Sequence, residues 1–342
     1  MFGSYRAVLA FMVVFQHLGG MGVMGGYAVF GFYTLSGYLM TLIMHETYGY
    51  STAGIQKYGM NRFLRIYPIY WLACIISLLL IVWLGNDYSK AFHSRMFIPE
   101  NSAQILQNIF IVFGQGSRPR LTPPSWALTV ELFYYACIAL GASKTKKTTL
   151  IWFAISTVYA IVINVAGFEW PYKYFIIPAA SLPFSVGGLI YHFKDKILER
   201  LKILKSGKAP FILMIMVLGN YVVNHAFHTL RHWGFYSNFL LNCLLVMSLM
   251  ERKSLLGISK SLDKRIGDLS YPIYLVHYQC GLFLSTLVLN IKRGTPLFAF
   301  VCLPLIVIVS WAMSKLVEMP IEGVRKKIKA DQRASASRNA AP

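Results

Sequence analysis

The stretch YRAVLAFMVVFQHLGG carries Arg6 and His17, 11 residues apart. At about 100° per residue this spacing closes to within roughly 20° of three full helical turns, so both side chains leave one face, about 16 Å apart along the axis. An imidazole can take a proton from a hydroxyl near neutral pH, and a guanidinium fork suits a phosphate or a carboxylate. The plain alternative makes Arg6 a snorkelling anchor and His17 a helix-to-helix hydrogen bond. In PPSWALTVELFYYA, Glu131 is the one acid well inside an apolar stretch. A carboxylate there must pair, be protonated or meet water. It can orient or charge a base, or form a structural pair with an arginine.

Three further segments mix polar groups into apolar runs. In NRFLRIYPIYW, Arg62 and Arg65 stand one turn apart beside Tyr67 and Tyr70, as a phosphate clamp or as basic anchors with an aromatic belt. In VFGFYTLSGYLM, Gly31 and Gly37 allow close helix approach, and Ser36 can line a cavity or bond its own backbone. In DLSYPIYLVHYQCG, His277 sits mid-segment among Tyr271, Tyr274 and Tyr278. Ser36, Tyr67, Trp126, Tyr271 and His277 are therefore read as substrate-contacting or cavity-lining. His45, His93, His192, His225, His228 and His232 fall at segment ends or in loops without a metal-binding spacing. Cys74, Cys137, Cys243, Cys280 and Cys302 all lie in apolar segments with no CxxC pair, so neither a metal nor a disulfide is expected.

The elements that must position these groups are set by composition. Of 342 residues 56% are hydrophobic and 13% charged, about half the charged share of a soluble domain, with mean hydropathy +0.53. Apolar runs of about twenty residues match the length of a membrane-crossing helix. We place spans at 5–22, 26–45, 66–84, 126–143, 149–167, 174–192, 210–227, 235–250, 269–289 and 297–314. The expected fold is all-α and polytopic, with about ten transmembrane helices and both termini cytoplasmic. One transmembrane domain covers 1–328, followed by a disordered tail at 329–342. No cleavage site follows the first apolar segment, which is kept as a span. The apolar stretch Ile105–Phe113 is too short to cross, and lies at the interface or dips into the membrane.

The net charge of +20 would suit a nucleic-acid partner, but its distribution argues otherwise. With the N-terminus inside, about 25 of the 33 Lys and Arg fall on the cytoplasmic side, as the positive-inside rule requires. The charge is mostly a topology signal, and no nucleic acid is expected.

Taken together, Arg-x10-His, the FxxSGY-like segment, RxxRIYPxYW, PSWxLxxE and SYPIYLxH resemble the acyltransferase-3 membrane family over roughly 1–320. Within it the chain is similar to short bacterial exopolysaccharide and surface-antigen O-acetyltransferases, the succinoglycan acetyltransferase type. Many relatives carry two adjacent acids after the tryptophan segment, whereas Leu132 follows Glu131 here. The resemblance implies an acyl-CoA donor, usually acetyl-CoA, as co-substrate rather than bound cofactor. It implies an extracytoplasmic or lipid-linked saccharide acceptor and a place in the bacterial inner membrane. It makes His17 the catalytic residue, Arg6 its motif partner, Arg62 and Arg65 the arginine element, and Glu131 the acidic position.

On this reading the nucleotide end of acyl-CoA binds near Arg6, Arg62 and Arg65, and its pantetheine arm runs up an internal channel to His17. There His17 acts as general base, oriented by Glu131; an acyl-histidine intermediate is the other route. A transporter that uses the same polar residues as a solute pathway is the rival class, although no internal halves are visible.

Overall fold

The computed structural model describes residues 2–111, 119–250, 255, 257–288 and 290–339, with side chains to Gln332 in the last helix. Among these the fold is all-α, without a strand. The helices are α1 (Gly3–Gly19), α2 (Met24–Ile43), α3 (Thr52–Leu84), α4 (Asn86–Phe92) and α5 (Ser102–Phe110). There follow α6 (Trp126–Ala139), α7 (Lys146–Val165), α8 (Trp170–Tyr174), α9 (Ile177–Arg200) and α10 (Ala209–Ala226). The last four are α11 (Trp233–Met250), α12 (Lys260–Leu287), α13 (Pro296–Met313) and α14 (Met319–Asn339).

Each of the ten expected spans coincides with one of these helices. Among the described residues seven are long and apolar enough to cross a membrane, beginning at Met24, Thr52, Lys146, Trp170, Ala209, Trp233 and Pro296. The chain is an integral membrane protein. The three remaining expected spans, α1, α6 and α12, are those that carry His17, Glu131 and His277. Their shortfall has two causes. α1 has 17 residues and α6 only 14, the latter about 21 Å of helix against a hydrocarbon core of about 30 Å. α12 is long but dilutes its apolar residues with tyrosines, His277 and Gln279.

The chain forms two compact units. One comprises Met1–Leu9, Val23–Tyr58 and Val130–Gly267; the other Ala10–Gly22, Gly59–Thr129 and Asp268–Pro342. In the first unit α2 packs on α9 and α11, α7 on α9, and α10 on α11. Of the small residues read from the sequence, Gly37 makes the first of these contacts: a Cβ there would collide with the Phe184 carbonyl, and one at Gly187 of α9 with the Thr34 carbonyl. Such backbone approach replaces the hydrophobic drive that lipid cannot supply. Tyr33, Tyr134 and Phe184 stack at the same crossing, with centroids 5.1 and 4.7 Å apart.

The second unit is built on α3, α12 and α13. Leu79, Val82 and Trp83 of α3 are exposed and suited to lipid. Between α3 and α6 the chain turns back alongside α3. The hydroxyls of Tyr67 and Tyr70 and the indole N–H of Trp71 donate to the carbonyls of Phe110, Asn108 and Ile109 at 2.8, 2.6 and 2.9 Å. Three of the last carbonyls of α5, which no helix can satisfy internally, are thereby closed. Ser77 donates to the Leu121 carbonyl and Tyr274 to that of Pro124 at 2.8 Å. Tyr67 lies roughly 25 Å along α3 from Leu84 at about 1.5 Å per residue. The apolar stretch around Ile105 is thus one arm of a re-entrant hairpin whose turn, with Val112 and Phe113 of the expected stretch, lies outside the described residues; the arm is tolerated because protein groups take its backbone. As a consequence α6 starts inside the span rather than at its rim.

The final helix α14 runs to Asn339, through the segment expected as a disordered tail. Ala330, Ala334 and Ala336 are strong helix formers and allow the continuation from Met319.

Candidate active site

The second unit brings together the two histidines that the sequence places 260 residues apart. Nδ1 of His17, on α1, lies 2.9 Å from Nε2 of His277, on α12. The rings are nearly parallel, 11° apart, with centroids at 5.1 Å. His277 is fully buried and His17 partly open. The other nitrogen of His277, Nδ1, faces the Ile273 carbonyl oxygen at 3.3 Å.

These contacts fix the tautomers of a neutral pair. A carbonyl only accepts, so His277 carries its proton on Nδ1 and offers a bare Nε2. The proton in the 2.9 Å contact must then come from Nδ1 of His17. That leaves the lone pair of His17 on Nε2, turned away from His277. It is the arrangement of a base oriented by a second group, with an imidazole where a carboxylate more often stands.

Tyr278 packs against both rings, at 5.0 Å from His17 and 4.7 Å from His277, and against His93 at 4.7 Å. His93 caps the end of α4 and accepts from the Arg95 N–H at 3.2 Å. Burial, reinforced by Arg293 and Arg95, lowers the His93 pKa to about 4. Arg293 sits in the turn between α12 and α13, its guanidinium 4.3 Å from the Phe92 ring centroid and 5.4 Å from that of Tyr278. The hairpin adds Arg120, buried, which donates to Ser125 Oγ at 3.0 Å.

The remaining residues of the expected site take other partners. In the first unit Glu131 accepts from Ser36 Oγ at 2.6 Å and from the Tyr135 hydroxyl. The orienting contact expected of Glu131 is one that His277 makes to His17 in the second unit. Arg65 pairs with Glu318, and Arg62 donates to Asn61 Oδ1 at 2.9 Å. Asn61 in turn donates to the Arg325 carbonyl at 3.1 Å. Both arginines of the RIYP segment are thus tied into a network that includes the C-terminal part of the chain. Tyr67 and Tyr271 spend their hydroxyls on the carbonyls of Phe110 and Ile66, at 2.8 and 2.9 Å. Trp126 is the first residue of α6 and partly open. Arg6 follows the start of α1, where Gly3 N, Ser4 N and Ser4 Oγ all donate to the buried Asp263 at 2.9, 2.8 and 2.7 Å. Burial alone would raise the Asp263 pKa, but these bonds from Ser4 and Gly3 outweigh it and lower it.

A sequence profile described as an acyltransferase domain matches residues 5–315. The chain belongs to the acyltransferase-3 family. It is a membrane acyltransferase, and the transporter reading gains no such support. Comparison with curated proteins and with solved structures gave no match. Both histidines of the pair lie within the matched range, as do Glu131 and the three arginines of the expected donor site. Arg293, His93 and Arg120 do too, although the reading of the sequence gave them no role. His93 and Arg120 sit in a connection, and Arg293 in a short turn. One signal was available: on the expected topology Arg95, Arg120 and Arg293 belong to the minority of basic residues that run against the bias.

Proposed function

We propose that this acyltransferase moves an acyl group, most simply acetyl, from cytoplasmic acyl-CoA to a hydroxyl of an extracytoplasmic or lipid-linked saccharide. The observation that carries the proposal is the His17–His277 pair, with the lone pair left on Nε2 of His17. Nε2 takes the proton of the acceptor hydroxyl while its oxygen attacks the thioester carbonyl. The tetrahedral oxyanion then collapses, the C–S bond breaks, and the departing CoA thiolate recovers the proton from the His17 imidazolium. His277 accepts from Nδ1 throughout and keeps the ring in register.

The donor's phosphates are assigned to Arg62 and Arg65 of the second unit, whose charge suits them, and Arg6 of the first unit is the motif partner that the resemblance implies. To take phosphate, Arg65 would exchange Glu318 and Arg62 its contact with Asn61. Glu131, which accepts from Ser36 and Tyr135 in the first unit, is the acidic position that the family resemblance implies. The family resemblance supports a bacterial inner-membrane location and an exopolysaccharide or surface-antigen acceptor.

The test uses purified full-length protein with labelled acetyl-CoA and lipid-linked oligosaccharide fractions, following thiol release and transfer of label together. His17→Ala should abolish both while acetyl-CoA still binds. Near-normal turnover in that variant would remove His17 from the chemistry. Ping-pong kinetics with label retained on the protein would replace direct transfer by an acyl-histidine route.

A further inference from the structure

The loop that carries Arg293 is built onto the end of the helix that carries His17. The Gly294 N–H donates to the Leu18 carbonyl at 2.9 Å, closing one of the open carbonyls of α1. Gly20 has φ of 71°, and a Cβ there would collide with the Gly294 carbonyl. Two adjacent backbones are thus held face to face, and Arg293 is the residue next to the contact. Its guanidinium is laid over Phe92 and beside Tyr278, the ring that also packs on His17 at 5.0 Å. Arg95 is tied to the same cluster through its N–H on His93.

The charge of this cluster is one-sided. Among the described residues neither Arg95 nor Arg293 has an ion-pair partner, and both are only partly open. The two acids of the neighbouring segment, Asp87 and Glu100, are exposed. A planar guanidinium held on aromatic rings, with a second arginine anchored by its backbone beside it and no carboxylate, makes a receptor for an anion that arrives with a substrate. That anion is not supplied by the donor's phosphates, since the whole pantetheine arm separates them from the thioester that must reach His17.

We infer that Arg293 and Arg95 form an anion site beside His17 that takes a carboxylate or phosphate carried by the acceptor, so that the acceptor is an acidic saccharide. This rests on the assignment of His17 as the acceptor's base. The anion, held by Arg293, fixes the sugar with a neighbouring hydroxyl toward Nε2.

The experiment measures occupancy rather than turnover, so it can be read even if His17 proves not to be the base. Purified full-length protein is treated with diethylpyrocarbonate, and modification of His17 is quantified by peptide mass spectrometry. Glucuronate, glucose 1-phosphate and glucose are the probes. At least one anionic sugar should slow the modification fivefold or more, with glucose having no effect. Protection by glucuronate identifies a carboxylate, and protection by glucose 1-phosphate a phosphate. In R293Q the unprotected rate should stay at the wild-type value and the protection should vanish, while acetyl-CoA still protects. R95Q supplies the same comparison if R293Q does not fold. Equal behaviour of glucose and both anions, or protection that survives in the folded variant, would overturn the inference. Loss of acetyl-CoA protection would overturn it too, by giving the charge to the donor.

Discussion

Replacing His277 by phenylalanine keeps a ring of similar shape against Tyr278 and removes only the acceptor for His17. In the resting pair the 2.9 Å contact joins two neutral rings, a bond of about 0.5–1.5 kcal/mol net. Once His17 has taken the acceptor's proton the same bond is charge-assisted, about 1.5–3 kcal/mol. The difference, about 1–1.5 kcal/mol, is present only in the transition state and so acts on turnover rather than on binding. It corresponds to a loss of about five- to fifteenfold. Release of the His17 ring to its other tautomer takes the total to roughly 10–50-fold, still short of the 10²–10⁴-fold that a general base contributes. Initial rates of thiol release, measured across donor concentration, should show kcat reduced in His277→Phe with KM for acetyl-CoA unchanged. His277→Gln restores an amide oxygen near the position of Nε2 and should recover most of the rate. Wild-type kcat in His277→Phe, or no difference between Phe and Gln, would refute the tautomer argument.

Glu131→Gln keeps an oxygen that can accept from both Ser36 and Tyr135 but removes the charge. Transfer within about threefold of wild type is expected, whereas Glu131→Ala leaves two hydroxyls without their acceptor and should lower thermal stability by about 1–3 kcal/mol; inactivity of the Gln variant would show that the charge itself is needed. Asp263→Ala strips three donors at the start of α1 of their acceptor and should cost about 1–3 kcal/mol, read as a lower melting temperature in detergent with Ser4→Ala smaller in effect. His93 has a depressed folded-state pKa near 4, so the unfolded chain binds the extra proton first as pH falls. Its contribution to stability is complete above about pH 6.5 and is lost on acidification toward 4; thermal melts between pH 7 and 4.5 should show a shallower slope in His93→Gln, and identical slopes would dismiss the effect.

The helices were legible because lipid imposes one rule on all of them: every stretch of about twenty apolar residues had to be helical. The polar residues were legible for the same reason, since His17, Glu131 and His277 each stand where an apolar residue is cheaper. Their partners were not. Nothing in the spacing of α1 and α12 says that His17 meets His277 rather than Glu131, because that depends on how helices 260 residues apart pack. Glu318 lies just beyond the last expected span, so its pairing with Arg65 could not be read from an acid inside lipid. The hairpin was visible only as an apolar stretch too short to cross. The hydroxyls and indole that hold its first arm belong to the RIYPIYW segment, whose aromatic residues read equally well as a membrane belt.

The folded-back arm between α3 and α6 bears on how the protein is made. Insertion that proceeds one hydrophobic stretch at a time finds no passenger in residues 102–125, which are too short to be released into the bilayer alone. Two of the contacts that seat this arm come from Tyr274, which donates to the Pro124 carbonyl, and Gln279, whose amide lies 3.3 Å from Thr122 Oγ, and both are synthesised some 150 residues later. The cluster around His17 is therefore finished late, by docking of pieces already in place. A nascent chain halted before α12 would hold most of its hydrophobic mass in the bilayer and still lack a working centre.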